Sequence, residues 1–179
     1  NGKRPVVLMP NPFYHVYAAA ALSVGAEAVY VAATAATGFL PDYAALPADI
    51  LNRAAIAYLC SPANPQGSVA SDSYLSDLLA LAARHGFTLL SDECYSEIYS
   101  TQKPPGTLEQ AGPDYANVVI FHSLSKRSSL PGLRVGFVAG DRRFLARFLE
   151  YRNNTAPQVP MPAQAVAAAA LDDEAHVIE

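Results

Sequence analysis

Cysteine is scarce in this sequence: Cys60 and Cys94 are the only two among 179 residues. They are too few for a disulfide framework and lack metal-ligand spacing, which excludes a small stapled secreted scaffold and leads us to expect no metal and a reducing, cytoplasmic setting. Basic runs are lacking too. Twelve Lys and Arg against 16 Asp and Glu leave a formal charge of -4, and no cluster of cations could track a phosphate backbone, so nucleic acid is not an expected partner. No apolar run approaches the roughly 20 residues needed to cross a bilayer, because Pro, Gly or charge interrupts the alanine-rich stretches. No membrane partner is expected. Asn1-Gly2-Lys3-Arg4-Pro5 passes at once into Val6-Val7-Leu8-Met9, without the apolar core and cleavage site of a signal peptide. At the other end, Asp172 to Glu179 stops where a helical pattern could continue, so the chain is expected to be a piece of a longer one.

What is abundant is apolar: 51% of the residues are hydrophobic, enough for one substantial core. Apolar runs of strand length alternate with segments of helical period, the pattern of a mainly parallel sheet covered by crossover helices, and hence of the α/β class. The expected strands are Val6 to Met9, Ala28 to Val31, Ala55 to Cys60, Thr88 to Ser91 and Val118 to Phe121, with Val135 to Ala139 as a sixth. The clearest helix starts at Ser71, a good N-cap, carries Leu75, Leu78, Leu79 and Ala82 on one face, and ends at Gly86. Tyr17 to Val24, Arg142 to Tyr151 and Ala163 to Leu171 also read as helices. Pro41 to Pro47 and Gln102 to Pro113 read as surface loops, and Pro157, Pro160 and Pro162 as a rigid connector.

In open parallel sheets ligands bind beyond the carboxyl ends of the strands. Polar residues that directly follow apolar runs are therefore the candidates for chemistry. The third strand runs into Cys60-Ser61-Pro62-Ala63-Asn64-Pro65-Gln66-Gly67, the fourth into Asp92-Glu93-Cys94-Tyr95, and the fifth into His122-Ser123-Leu124-Ser125-Lys126. All should lie on one rim. A Lys and an Asp so placed fit many reactions, from phosphoryl transfer to aldol chemistry. They also suit pyridoxal phosphate, whose aldehyde a lysine amine can engage and whose pyridinium nitrogen a buried carboxylate can keep protonated. That cofactor further needs a donor to its phenolic oxygen, an aromatic face, and hydroxyl or guanidinium groups for its phosphate. Asn64, Tyr95, Tyr14, Ser123 and Arg134 are available.

The order and spacing resemble the class I aminotransferases of the fold-type I pyridoxal-phosphate superfamily across nearly the whole chain. Asn64-Pro65-Gln66-Gly67 is similar to the family's Asn-Pro-x-Gly turn, Asp92-Glu93-Cys94-Tyr95 to its Asp-x-x-Tyr, and Ser123-Leu124-Ser125-Lys126 to its Ser-x-Ser-Lys. Pro131-Gly132-Leu133-Arg134-Val135-Gly136 is similar to the stretch that carries its phosphate-binding arginine. Each motif alone is weak; together, in the family's order, they are specific. The resemblance implies a three-layer α/β/α large domain over residues 1–155, followed by a connector and helix over residues 156–179 leading toward a small carboxyl-terminal domain.

It also implies roles. Lys126 would be the catalytic residue, binding the cofactor covalently and shuttling the proton at the substrate α carbon. Asp92 would pair with the pyridine nitrogen, although a helix N-cap is an alternative use for it. Asn64 and Tyr95 would bond the phenolic oxygen, and Tyr14, with Phe13 as its rival, would stack on the ring. Ser123 and Arg134 would hold the phosphate, with Ser125 a further candidate for the same anion. His122, beside a strand end, reads as a packed or supporting residue rather than a metal ligand. The expected activity is transfer of an amino group from an amino acid to a 2-oxo acid, by a cytoplasmic homodimer.

Two departures from the family pattern matter. The segments that add phosphate donors ahead of this stretch, and the small domain whose arginine grips the substrate carboxylate, are absent from the 179 residues, so the fragment alone is expected to be inactive. Gln66 stands where Thr is more usual. With Cys60-Ser61-Pro62, His122-Ser123-Leu124-Ser125-Lys126-Arg127-Ser128 and Ala156-Pro157-Gln158-Val159-Pro160, it makes the chain similar to bacterial succinyldiaminopimelate aminotransferases of lysine biosynthesis, which use N-succinyl-LL-2,6-diaminopimelate and 2-oxoglutarate. A carbon-sulfur lyase on the same scaffold, or an aminotransferase-like sensing domain of a transcription regulator, are the alternatives.

Overall fold

The first strand shows why a sheet forms here. Val6, Val7, Leu8 and Met9 are each no more than 5% exposed, so side chains pointing to both faces are covered, as a continuous apolar run requires in a parallel sheet. The computed structural model describes residues 4–156 and 158–178. In it, β1 (Val6–Asn11), α1 (His15–Ser23), β2 (Glu27–Ala32), α2 (Ala48–Leu51), β3 (Ala54–Cys60), α3 (Asp72–His85), β4 (Thr88–Asp92), β5 (Val118–Ser123), α4 (Leu124–Arg127), β6 (Gly136–Gly140), α5 (Arg142–Thr155), α6 (Met161–Asp172) and α7 (Ala175–Ile178) follow in chain order. The sheet order is β2-β1-β3-β4-β5-β6.

β2 lies on one side of β1 and β3 on the other, so α1 and α3 cross in opposite directions and fall on opposite faces. Tyr17, Ala18 and Ala21 of α1 pack with Val7 and Met9. Leu75, Leu78, Leu81 and Ala82 of α3 pack with Leu8, Leu59 and Leu89. The result is the expected α/β class with helical layers on both faces. Each fully buried leucine contributes roughly 2 kcal/mol. Ser71 Oγ accepts from the Tyr74 N–H at 3.2 Å, and Gly86, at φ 75°, closes α3 in the left-handed region.

Several expectations need correction. β1, β4 and β5 continue to Asn11, Asp92 and Ser123, so these polar residues end the ladders instead of following them. The sixth strand starts at Gly136 and pairs antiparallel with β5, with Ser123 opposite Gly136 and Phe137 opposite His122. The two supposed surface loops are partly interior: each holds a 3-10 turn, and Tyr43 and Thr107 are both 1% exposed. Tyr43 anchors its turn by donating to the Tyr58 carbonyl at 2.6 Å. On the buried face of α3, Leu81 replaces Leu79, which is only partly covered. Pro160 caps α6 and Pro162 lies in its first turn, where a missing N–H costs nothing; Pro157 lies outside the described residues. Among the described residues no helix is long and apolar enough to cross a membrane.

Candidate active site

Parallel pairing brings the ends of β1, β3, β4 and β5 to one edge of the sheet, and the antiparallel β6 begins there. Every candidate residue is carried by a strand end or the turn beside it. Tyr14 precedes α1, Asn64 follows β3, Asp92 ends β4 with Tyr95 in the next turn, Ser123 ends β5 ahead of Ser125 and Lys126, and Arg134 leads into β6. Cys60 pairs with Asp92 and Asp92 with Phe121 across the ladders.

Asp92 is held on both oxygens. The Tyr17 hydroxyl donates to Oδ2 at 2.5 Å and the Cys94 backbone N–H to Oδ1 at 3.3 Å. No helix starts at Asp92, so the N-cap reading does not apply. Tyr17 stacks on Tyr58 with ring centroids 4.2 Å apart and planes 7° from parallel. Burial, and then the Asp92 charge, push the Tyr17 phenol far upward, so it remains a neutral donor. Sequence reasoning saw Tyr17 only as part of a helix. Its spacing of three from Tyr14, one helical turn, was the available signal. Burial followed by the Asp92 charge also pushes the Cys60 thiol up to about 11 and raises that of Cys94. Both thiols therefore stay protonated near neutral pH, the weakly nucleophilic form.

Lys126 Nζ lies 5.5 Å from the centroid of the Tyr95 ring, and Asn64 Nδ2 donates to the Tyr95 hydroxyl at 3.4 Å. These three residues form one group at the rim, with Lys126 and Asn64 exposed. Gly67, at φ 73°, takes the left-handed conformation that closes the Asn64 turn, its N–H donating to the Ala63 carbonyl at 2.7 Å. A cavity of about 470 Å³ opens beside this group, lined by Asn64, Tyr95, Val69, Ile98 and Tyr99 among others.

Tyr14 is 45% exposed and meets Tyr17 edge-on at 5.9 Å, whereas Phe13 packs against Tyr30 at 5.1 Å. Ser123 Oγ accepts from the Ser125 N–H at 3.1 Å. Arg134 sits at φ 55°, a left-handed conformation uncommon outside glycine. Its guanidinium donates to the Pro131 carbonyl at 2.9 Å, within its own loop, and is exposed. The Ser123–Gly136 pairing places that loop against Ser123.

Glu93 leaves β4 on the other face and is 4% exposed. Its Oε1 accepts from the Thr107 N–H at 2.9 Å, and its Oε2 lies 3.5 Å from His122 Nε2. Burial works against its charge, but the His122 and Thr107 contacts outweigh it and hold the carboxyl below the ordinary range. His122 stacks on Phe137 at 5.0 Å. It is thus a packed residue next to Ser123, as expected, whereas Glu93 was not foreseen. Among the described residues no group of three or more His, Cys, Asp or Glu is placed to hold a metal.

The family model for aminotransferase class I and II matches residues 1–179. An LL-diaminopimelate aminotransferase of Dehalococcoides mccartyi is 34% identical over 174 residues, covering 97% of this chain and 45% of the relative. The chain thus spans less than half the length of that relative. The crystal structure of an aminotransferase from Neisseria meningitidis superposes with a TM-score of 0.93 at 41% identity, covering 99% of this chain and 46% of the other. That of a probable N-succinyldiaminopimelate aminotransferase from Thermus thermophilus gives 0.90 at 27% identity, covering 98% and 48%. Members of the family use pyridoxal phosphate. With the family match extending over all 179 residues and 99% of the chain superposing on a solved aminotransferase, this chain belongs to the class I and II aminotransferases.

Proposed function

We propose that this chain is the cofactor-binding core of a pyridoxal-phosphate-dependent aminotransferase that moves an amino group from an amino acid to a 2-oxo acid. The observation that carries the reading is the juxtaposition, on one rim, of a doubly held Asp92 with Lys126 over the ring of Tyr95. The donor set fits the cofactor's chemistry: a carboxylate for a pyridinium, an amine for an aldehyde, Asn64 and Tyr95 for a phenolate, and Ser123, Ser125 and Arg134 for a phosphate. When bound, pyridoxal phosphate supplies a reactive carbonyl and a ring that accepts electrons. Asp92, oriented by the Tyr17 hydroxyl, would hold the proton of the ring nitrogen. Asn64 and Tyr95 would donate to the phenolic oxygen, and Tyr14 would supply the aromatic face that excludes water. Lys126 would hold the cofactor through its amine and carry the proton at the substrate α carbon.

The amino donor we propose is N-succinyl-LL-2,6-diaminopimelate, with 2-oxoglutarate as acceptor. The names of the relatives support a diaminopimelate-type donor, since both the Dehalococcoides and Thermus proteins carry diaminopimelate in theirs. We further propose that residues 1–155 are the core of the large domain and residues 156–179 a connector toward a small domain that grips the substrate carboxylate. Two free thiols support a reducing, cytoplasmic setting, and a homodimer is the proposed assembly. The decisive test is a panel of amino donors on the full-length protein, with and without 2-oxoglutarate, following the cofactor's spectrum. An aminotransferase turns over once without the oxo acid and continuously with it, whereas sustained release of ammonia without it points to a lyase. The K126A variant is expected to abolish covalent cofactor attachment and turnover together; an active K126A removes the proposed role.

A further inference from the structure

Arg127 follows the proposed catalytic lysine and is the meeting point of three segments. Its side chain is 7% exposed. Its Nε lies 2.6 Å from Glu97 Oε2, in the turn that carries Tyr95. Its Nη1 donates to the Ala170 carbonyl of α6 at 2.7 Å, and its Nη2 to Glu174 Oε1, between α6 and α7, at 3.0 Å. A guanidinium is a rigid planar fork. Two hydrogen bonds toward α6 and the α6–α7 turn and an ion pair with Glu97 hold it among three segments, directly after Lys126 in the short helix α4.

We infer that Arg127 is a positioning residue: it ties the turns of Lys126 and Tyr95 to the α6–α7 segment, so that the placement of that segment sets how the Lys126 amine is presented. The inference rests on the pyridoxal phosphate reading given above. Lys126 and Tyr95, 5.5 Å apart, are each one or two residues from a partner in the Arg127 cluster. A shift of α6–α7 that pulls on Arg127 therefore moves both sides of the lysine's surroundings together. Lysine could not replace the arginine here, because a point-like ammonium has no fork to span Glu97, Ala170 and Glu174 at once.

The test uses full-length protein with pyridoxal phosphate as the probe. R127K keeps the charge and loses the fork. It is expected still to be trapped covalently at Lys126 by borohydride, but with cofactor affinity lowered roughly tenfold, within the usual range of coupling between sites. Hydrogen exchange should rise together over residues 93–99, 124–128 and 161–178. E97Q and E174A, which leave the arginine in place, should shift the same segments in the same direction by less, and they keep the test open should R127K not fold. Unchanged affinity, or loosening confined to 161–178, reduces Arg127 to a local pin and overturns the inference. Failure to trap cofactor at Lys126 in the parent protein instead defeats the underlying reading. The tie itself is then still judged by exchange over 93–99 and 124–128 without cofactor.

Discussion

The Tyr17 hydroxyl donates to Asp92 Oδ2 across 2.5 Å, joining the first helix to the end of the fourth strand. A hydrogen bond to a charged group contributes about 1.5–3 kcal/mol, and this one orients the carboxylate proposed to hold the cofactor. Y17F keeps the stack on Tyr58 and loses only the hydroxyl. It should fold normally and bind pyridoxal phosphate about tenfold more weakly, roughly 1.4 kcal/mol, in an equilibrium titration. Equal affinity in Y17F and the parent would show that Asp92 does not depend on this donor.

The same burial governs behaviour in alkali. Tyr17, Tyr43, Tyr58 and Tyr74 all have phenol pKa values raised, burial being the first cause in each. Below the unfolded value near 10, both states are protonated and the stabilisation is fully present. Above it the unfolded chain loses protons that the folded one keeps, so stability falls as pH rises. Urea midpoints should be flat up to about pH 9.5 and drop beyond pH 10, less steeply in Y17F.

Gly136 is needed for closeness of approach. A Cβ built there would lie 2.4 Å from the His122 carbonyl oxygen, inside the β5–β6 ladder at the pairing with Ser123. G136A should therefore push the Arg134 loop away from Ser123 and destabilise the fold by about 1–3 kcal/mol, the usual cost of overpacking. Phosphate-dependent retention of the cofactor should suffer more than that of pyridoxal alone, as dialysis with each would reveal.

Asp141 closes the far end of the molecule. It accepts from the Arg143 and Asn117 backbone N–H groups at 2.8 and 3.0 Å and caps α5. D141A should cost about 1–2 kcal/mol through loss of the cap. Arg143, followed by these N–H groups, holds the carboxyl well below its usual range despite desolvation. The contribution is thus present above the unfolded value near 3.9 and lost as pH falls through the folded one. The gap in unfolding midpoint between parent and D141N should narrow steadily below pH 4.

Much of the candidate site was legible because its motifs are local. A turn such as Asn64 to Gly67 or a strand end such as Ser123 to Lys126 declares itself in a few adjacent residues, whose types follow from backbone geometry and ligand chemistry. The supporting residues were less visible. Tyr17 and Asp92 are 75 positions apart, and Arg127 meets Glu174 across 47; no local pattern announces such pairs. Tyr43 and Thr107 lie in segments whose turn formers read as surface loops, while the interior space they fill is set by neighbouring elements.

The α/β class, the positions of six strands to within a few residues, and the order of the candidate residues along one rim follow from period and turn chemistry, which are short-range properties readable along the chain. Packing in three dimensions is what makes β6 run antiparallel and bring the Arg134 loop to the Ser123 end of β5, sets Tyr17 against Asp92, and gathers three segments around Arg127 behind Lys126. These depend on packing and on pairing across the sheet, where the partner is chosen by proximity in space and not by distance along the chain.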